Sequence, residues 1–278
     1  MHPDLVNRLT KEAVKAAGHV LTMCIRALDY CPPVDINFGD YLRALITADR
    51  DVVPVDTRHY RLAFIDAFRQ HGIYPRKLRS LSEESLTWDS AVEVLQDYNK
   101  IVDLGERLKP YFAKLGWSSD RETRWHTTRQ QRIRLHSDLQ KKFWRNEKDE
   151  HLQEQTGLDF GITKAKGEVK FELHSLWPAR RLRPDGTVLN QVVFSILQHR
   201  PLAGAGSPEI WGGCTFIVDL DSEVIRYMIR KPLYRQEGAE GRITRARQEL
   251  ENPETSSLAA TYGVTGEDEP FALLHSNH

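Results

Sequence analysis

Gly212-Gly213-Cys214-Thr215-Phe216-Ile217-Val218-Asp219, followed across Asp221-Ser222 by Glu223-Val224-Ile225-Arg226-Tyr227-Met228-Ile229-Arg230, reads as a β-hairpin. Both runs are rich in β-branched and aromatic residues, and a short polar turn separates them. Working upstream, Val169, Phe171 and Leu173, then Val188, Val192, Phe194 and Ile196, alternate or cluster among polar residues with the period of strands. Pro184-Asp185-Gly186 lies between them. Pro presets the backbone, Asp bonds its own main chain and Gly takes the positive-φ position, so this tripeptide predicts a second hairpin turn. A meander of four antiparallel strands is expected. Downstream, residues 239–251 read as a charged helix, and Phe271 to Leu274 as a short edge strand or a segment docked into the core.

Upstream of Gly157 the period lengthens to that of helices. Val14, Ala17, Leu21, Ile25 and Leu28 form a stripe at spacings of three and four, stopped by Pro32-Pro33. Asn37 is the expected N-cap of a second helix, with Asp40 beside its positive end and Phe38, Leu42, Leu45, Ile46 and Ala48 as its buried face. Beyond Pro54, Asp56 or Thr57 caps a third helix with Tyr60, Phe64, Ala67 and Phe68 inside, ending at Gly72 before Pro75. Residues 81–115 keep helical spacing from Leu81 and Leu86 to Leu108, with a start signal at Ser82 to Ser85. The polar run from Arg121 to Thr156 has no Gly or Pro and suits a solvated helix or helical linker.

The fold class expected is α+β, an N-terminal helical bundle followed by a small antiparallel sheet with a flanking helix. Three segments are expected: a helical unit over 1–76, a helical extension over 77–157 and a β-rich domain over 158–278. The 278 residues carry 39 Lys plus Arg against 39 Asp plus Glu, so net charge names no partner. Three cysteines, Cys24, Cys31 and Cys214, include no C-x-x-C pair and give neither a disulfide framework nor a zinc ribbon. No signal-peptide pattern and no long apolar run is present, which leads to the expectation of a cytoplasmic protein without a membrane partner.

Isolated chemical groups favour bland readings. His19 reads as a polar helix residue. His151 and Glu154 stand three apart, a ligand spacing, but inside a solvated charged run. His174, Ser175 and Asp185 lack the Gly-x-Ser-x-Gly turn that exposes a nucleophile, and Gly204-x-Gly206 lacks the context of a phosphate cradle. Cys214 reads as a core strand residue. The strongest charge feature is 121–145. There Arg121, Arg124, Arg129, Arg132, Arg134, Lys141, Lys142 and Arg145 outnumber Glu122 and Asp138, with Trp125, Phe143 and Trp144 interleaved. Cations that neutralise phosphates beside aromatics that stack on bases make a nucleic-acid partner the rival to a protein partner.

The helical unit resembles the C-terminal end of thermolysin-like zinc peptidases over residues 11–75. The parts appear in that family's order: Ile25-Arg26-Ala27-Leu28-Asp29-Tyr30, Cys31-Pro32-Pro33, Phe38-Gly39-Asp40-Tyr41-Leu42-Arg43-Ala44, Ala48-Asp49, and Ala63-Phe64-Ile65-Asp66-Ala67-Phe68-Arg69-Gln70-His71-Gly72-Ile73. The resemblance implies a zinc peptidase whose metal ligands and general base lie upstream of this stretch, and none of those residues can be carried over. No H-E-x-x-H occurs, because His126, His136, His151, His174 and His199 are followed by Thr127, Ser137, Leu152, Ser175 and Arg200. The expectation is a non-catalytic remnant or accessory piece of such a peptidase, without catalytic residues, cofactor or metal ligands of its own.

Overall fold

The computed structural model describes residues 2–76, 78–91, 93, 109–110, 120–139, 156–158, 170–202, 208–222, 224–233 and 239–251. Among these, α1 spans Pro3–Ala27 and runs into a 3-10 turn at Leu28–Tyr30, followed by α2 at Phe38–Val52, α3 at Tyr60–Gln70 and the short α4 at Glu83–Leu86. Then come α5 at Arg121–Asp138, strands β1 Lys170–Leu182, β2 Val188–Pro201, β3 Glu209–Asp219 and β4 Val224–Lys231, and α6 at Ala239–Glu251. The protein is α+β. The four strands form one antiparallel sheet in the order β1-β2-β3-β4.

The hairpin turns follow the local chemistry. Gly186 takes φ 85°, Asp185 Oδ1 accepts the Thr187 N–H at 2.9 Å, and Asp219 Oδ1 accepts the Asp221 N–H at 2.9 Å. A register shift between Leu173 and Ser175 places Leu173 and Leu176 on one face of β1.

Both faces of the sheet are buried, which explains why β2 and β3 read as near-continuous apolar runs. One face, with Val192, Phe194, Ile196, Cys214, Phe216, Val218, Ile225 and Met228, packs on Leu135 and Leu139 from α5 and its C-cap, and on Ala91 and Leu158. Phe194 and Phe216 stack at 4.7 Å between centroids. The other face, with Val193, Ile217, Tyr227 and Ile229, shares a core with Met23, Ala27, Tyr30 and Cys31 and with Ala44, Leu45 and Ala48 of α2. The N-terminal helices are therefore one layer over the sheet, and α5 lies on the opposite face. Gly213 permits a close approach at this seam, since a Cβ there would meet Ile196 O at 2.1 Å and Pro33 Cγ at 3.0 Å.

Helix starts are largely as read. Asn37 and Asp40 form a complete capping box, with the Asp40 N–H on Asn37 Oδ1 at 2.9 Å. Ser82 caps α4 through the Ser85 N–H. Asp56 accepts the Arg61 N–H at 2.8 Å, while the residue next to α3 is His59 with φ 58°. The buried faces differ more. On α1 the expected stripe points outward, with Val14, Leu21, Ile25 and Leu28 all more than half exposed, and the body takes Met23 and Ala27 instead. On α2, Leu42, Leu45, Ile46 and Ala48 are fully buried, but Phe38 is exposed. On α3, Arg61 and Ile65 are buried, with Tyr60, Phe64 and Phe68 half-buried and Ala67 exposed.

Candidate functional site

The densest polar chemistry lies where the C-terminal end of α2 meets the sheet. α2 ends in Asp49-Arg50-Asp51: Asp49 faces Arg61 of α3, Asp51, about 200° round the helix, faces the sheet, and Arg50 is exposed. Asp51 is the hub. Its Oδ2 accepts the Tyr30 hydroxyl at 2.5 Å and Gln191 Nε2 at 2.9 Å, and its Oδ1 pairs with the Arg226 guanidinium from β4. Arg226 also stands 3.7 Å from Asp219 Oδ2. Gln191 accepts in turn from Arg181, whose other nitrogen lies 2.5 Å from Asp29 Oδ2. Through these partners the buried Asp51 carboxylate ties α2 to both β2 and β4.

These contacts shift the titrations in ways that follow the surroundings. Burial, reinforced by the adjacent Asp51 charge, raises Tyr30 well above the usual phenol range. Burial also raises Asp29, against the opposing pull of Arg181 and Trp177. For Arg226, burial works against the charge, but Asp51 together with Tyr227 and Tyr30 outweighs it and raises the guanidinium further. Asp49 is raised by burial, opposed by the Arg61 bond at 2.8 Å.

Beside this network opens a cavity of about 640 Å³ lined by residues of α2, α4, the β1–β2 turn and β4, with Trp88 and Tyr227 as aromatic walls. Trp88 is fixed by its Nε1 bond to Tyr30 O at 3.0 Å, with the Arg43 guanidinium 3.9 Å over its ring. The cavity was not legible in the sequence, because its residues come from positions 50 to 227 and carry no common motif. The local signal was Asp49-Arg50-Asp51, three consecutive charges at the end of α2.

The basic residues named from the sequence fall on α5. Arg121, Arg124, Arg129 and Arg134 are exposed, Trp125 is 55% exposed, and Arg129 lies 5.3 Å over its ring. Arg132 donates to His174 O at 2.8 Å and so helps to tie α5 to β1. Lys141, Lys142, Trp144 and Arg145 lie outside the described residues, as do His151, Glu154, Gly204, Gly206 and Phe271 to Leu274. His19 is exposed on α1, 5.3 Å from the Tyr60 ring. Ser175 Oγ is buried without a hydrogen-bond partner, and Cys214 is fully buried.

The zinc chemistry that the resemblance implies finds no fit here: among the described residues no three or more His, Cys, Asp or Glu side chains are grouped to hold a metal ion. The carboxylates that do cluster at the end of α2 are held by Arg61, Arg226, Tyr30 and Gln191. Also among the described residues, no helix is long and apolar enough to cross a membrane. Compared with family models, curated proteins and solved structures, the chain gives no match.

Proposed function

We propose that this chain is a non-catalytic accessory piece of a thermolysin-like zinc metallopeptidase, whose β-rich half serves as an interaction unit. One observation carries the reading. The polar residues of the peptidase-like helices are spent as ties. Asp29 binds Arg181 and Trp177, Asp40 pairs with Lys231 at 2.7 Å, Arg43 donates to Leu86 O and Thr87 O, and Asp49 pairs with Arg61. Asp29 and Asp40 bolt the helical unit to the sheet while Arg43 and Asp49 hold its own elements together, which supports a holding role.

The test is a zinc determination on the purified chain together with casein hydrolysis with and without chelator. The reading expects substoichiometric zinc and no chelator-sensitive cleavage; stoichiometric zinc with chelator-sensitive cleavage overturns it. Kinship is tested in the coding DNA upstream of Met1, where an in-frame or frameshifted H-E-x-x-H is expected. Its absence removes the peptidase half of the reading.

The exposed Trp125 with Arg129 over its ring supports a second reading, a nucleic-acid-binding face on α5. That reading expects salt-sensitive RNA or DNA binding, weakened by Arg121→Glu with Arg129→Glu. No mobility shift at low salt removes it.

A further inference from the structure

The cavity beside Asp51 is sorted by charge from floor to rim. On its floor the half-buried Arg183 and Arg226 face one buried carboxylate, Asp51. At its rim the exposed Glu84, Asp89 and Glu93 outnumber one exposed cation, Arg50. Arg226 is occupied by Asp51 and Asp219. Arg183 is not. Its Nη2 reaches only the Asp51 carbonyl at 3.5 Å, and its Nε is buried without a partner. A guanidinium that lines a cavity with no carboxylate among the described residues bonded to it is a donor prepared for an acceptor that comes from outside the chain.

A bare anion would engage only the Arg183 end and leave the rim carboxylates uncompensated, and a polyanion would be repelled by them. The complementary ligand is negative at its inner end, positive at its outer end and slender between. From this geometry we infer that the cavity binds a zwitterionic small molecule of the basic amino-acid class. Its carboxylate sits on Arg183, its side-chain cation lies among Glu84, Asp89 and Glu93, and its methylene chain runs between Trp88 and Tyr227. The bidentate match between a guanidinium and a carboxylate fixes the inner end. The aromatic walls take the stem and exclude water from it.

Calorimetric titration of the full chain with L-arginine, agmatine and L-citrulline tests this, since agmatine lacks the carboxylate and citrulline the side-chain cation. L-Arginine is expected to bind, with agmatine and citrulline each weaker by at least about tenfold. Arg183→Met should raise the L-arginine Kd by a similar factor while leaving agmatine unchanged. Should that variant fail to fold, the three-ligand comparison on the unaltered chain still decides. No heat of binding with millimolar L-arginine, or agmatine binding as tightly as L-arginine, overturns the proposal.

Discussion

Arg61 shows how much a single side chain holds in this molecule. It is 4% exposed, lies 2.8 Å from Asp49 and 2.7 Å from Glu83, and donates to Val53 O at 2.8 Å. Arg61→Met leaves the buried Asp49 carboxylate without its counter-ion, a class of change that costs about 3 kcal/mol. Urea denaturation should show this as a lower midpoint with an unchanged slope. The cysteines give a second measurement at this scale. Burial pushes the Cys31 thiol up to about 12 and Cys214 higher still, so neither provides thiolate at neutral pH. A thiol reagent at neutral pH should leave both unmodified in the native chain, with mass mapping finding label on them only after denaturation. Labelling of Cys214 in the native state would contradict the burial of β3. These residues were unequally legible in the sequence. Cys214 precedes an apolar run and was read as core, whereas Arg61 sits at a helix start, where its inward turn depends on Asp49 and Glu83 from other elements.

At the scale of elements, α1 separates what a periodic pattern fixes from what it leaves open. The stripe Val14, Ala17, Leu21, Ile25 and Leu28 predicts a helix, and the helix is there. Which part of its apolar arc is buried is decided by the partner, and the sheet takes the side carrying Met23 and Ala27. Leu21→Glu should therefore change stability by less than about 0.5 kcal/mol, while Met23→Ala costs about 2 kcal/mol; thermal melts of both variants compare the two faces. The strands were easier to read, because period-2 patterning and the Pro184-Asp185-Gly186 turn specify pairing locally. Their double-sided burial was not local information, since it needs α1 and α2 on one face and α5 on the other. α5 supplies a pH dependence. His136 accepts the Leu173 N–H at 3.4 Å through Nδ1, and burial lowers its titration below the ordinary 6.5. The unfolded chain then binds the proton more readily than the folded one. Stability at this site is complete above about 6.5 and falls as pH drops below it, reaching its full loss under the lowered folded value. His136→Gln should flatten that part of the stability curve measured by urea titration between neutral and mildly acidic pH.

For the whole molecule, the core that joins Met23, Ala27, Tyr30, Ala44, Leu45 and Ala48 to Val193, Ile217, Tyr227 and Ile229 makes the helices and the sheet mutually dependent. Tyr30, Asp51, Gln191 and Arg226 seal the edge of that core with ties that cross from helix to strand. No sequence pattern announced this seam, because paired members such as Asp51 and Arg226 lie 175 positions apart, on elements whose own periodicities are complete without it. The proposed accessory role rests on this seam: Asp29 and Asp40 of the helical unit tie it to the sheet, and the cavity opens beside the Asp51 ties. Native-state hydrogen exchange measures this coupling most directly. Amides of α2 from Leu42 to Val52 and of β3 from Cys214 to Val218 should open with the same free energy and the same denaturant dependence, as one cooperative unit. Exchange of α2 at low cost while β3 stays protected would contradict the shared core, and with it the reading of the helices as the structural support of the sheet.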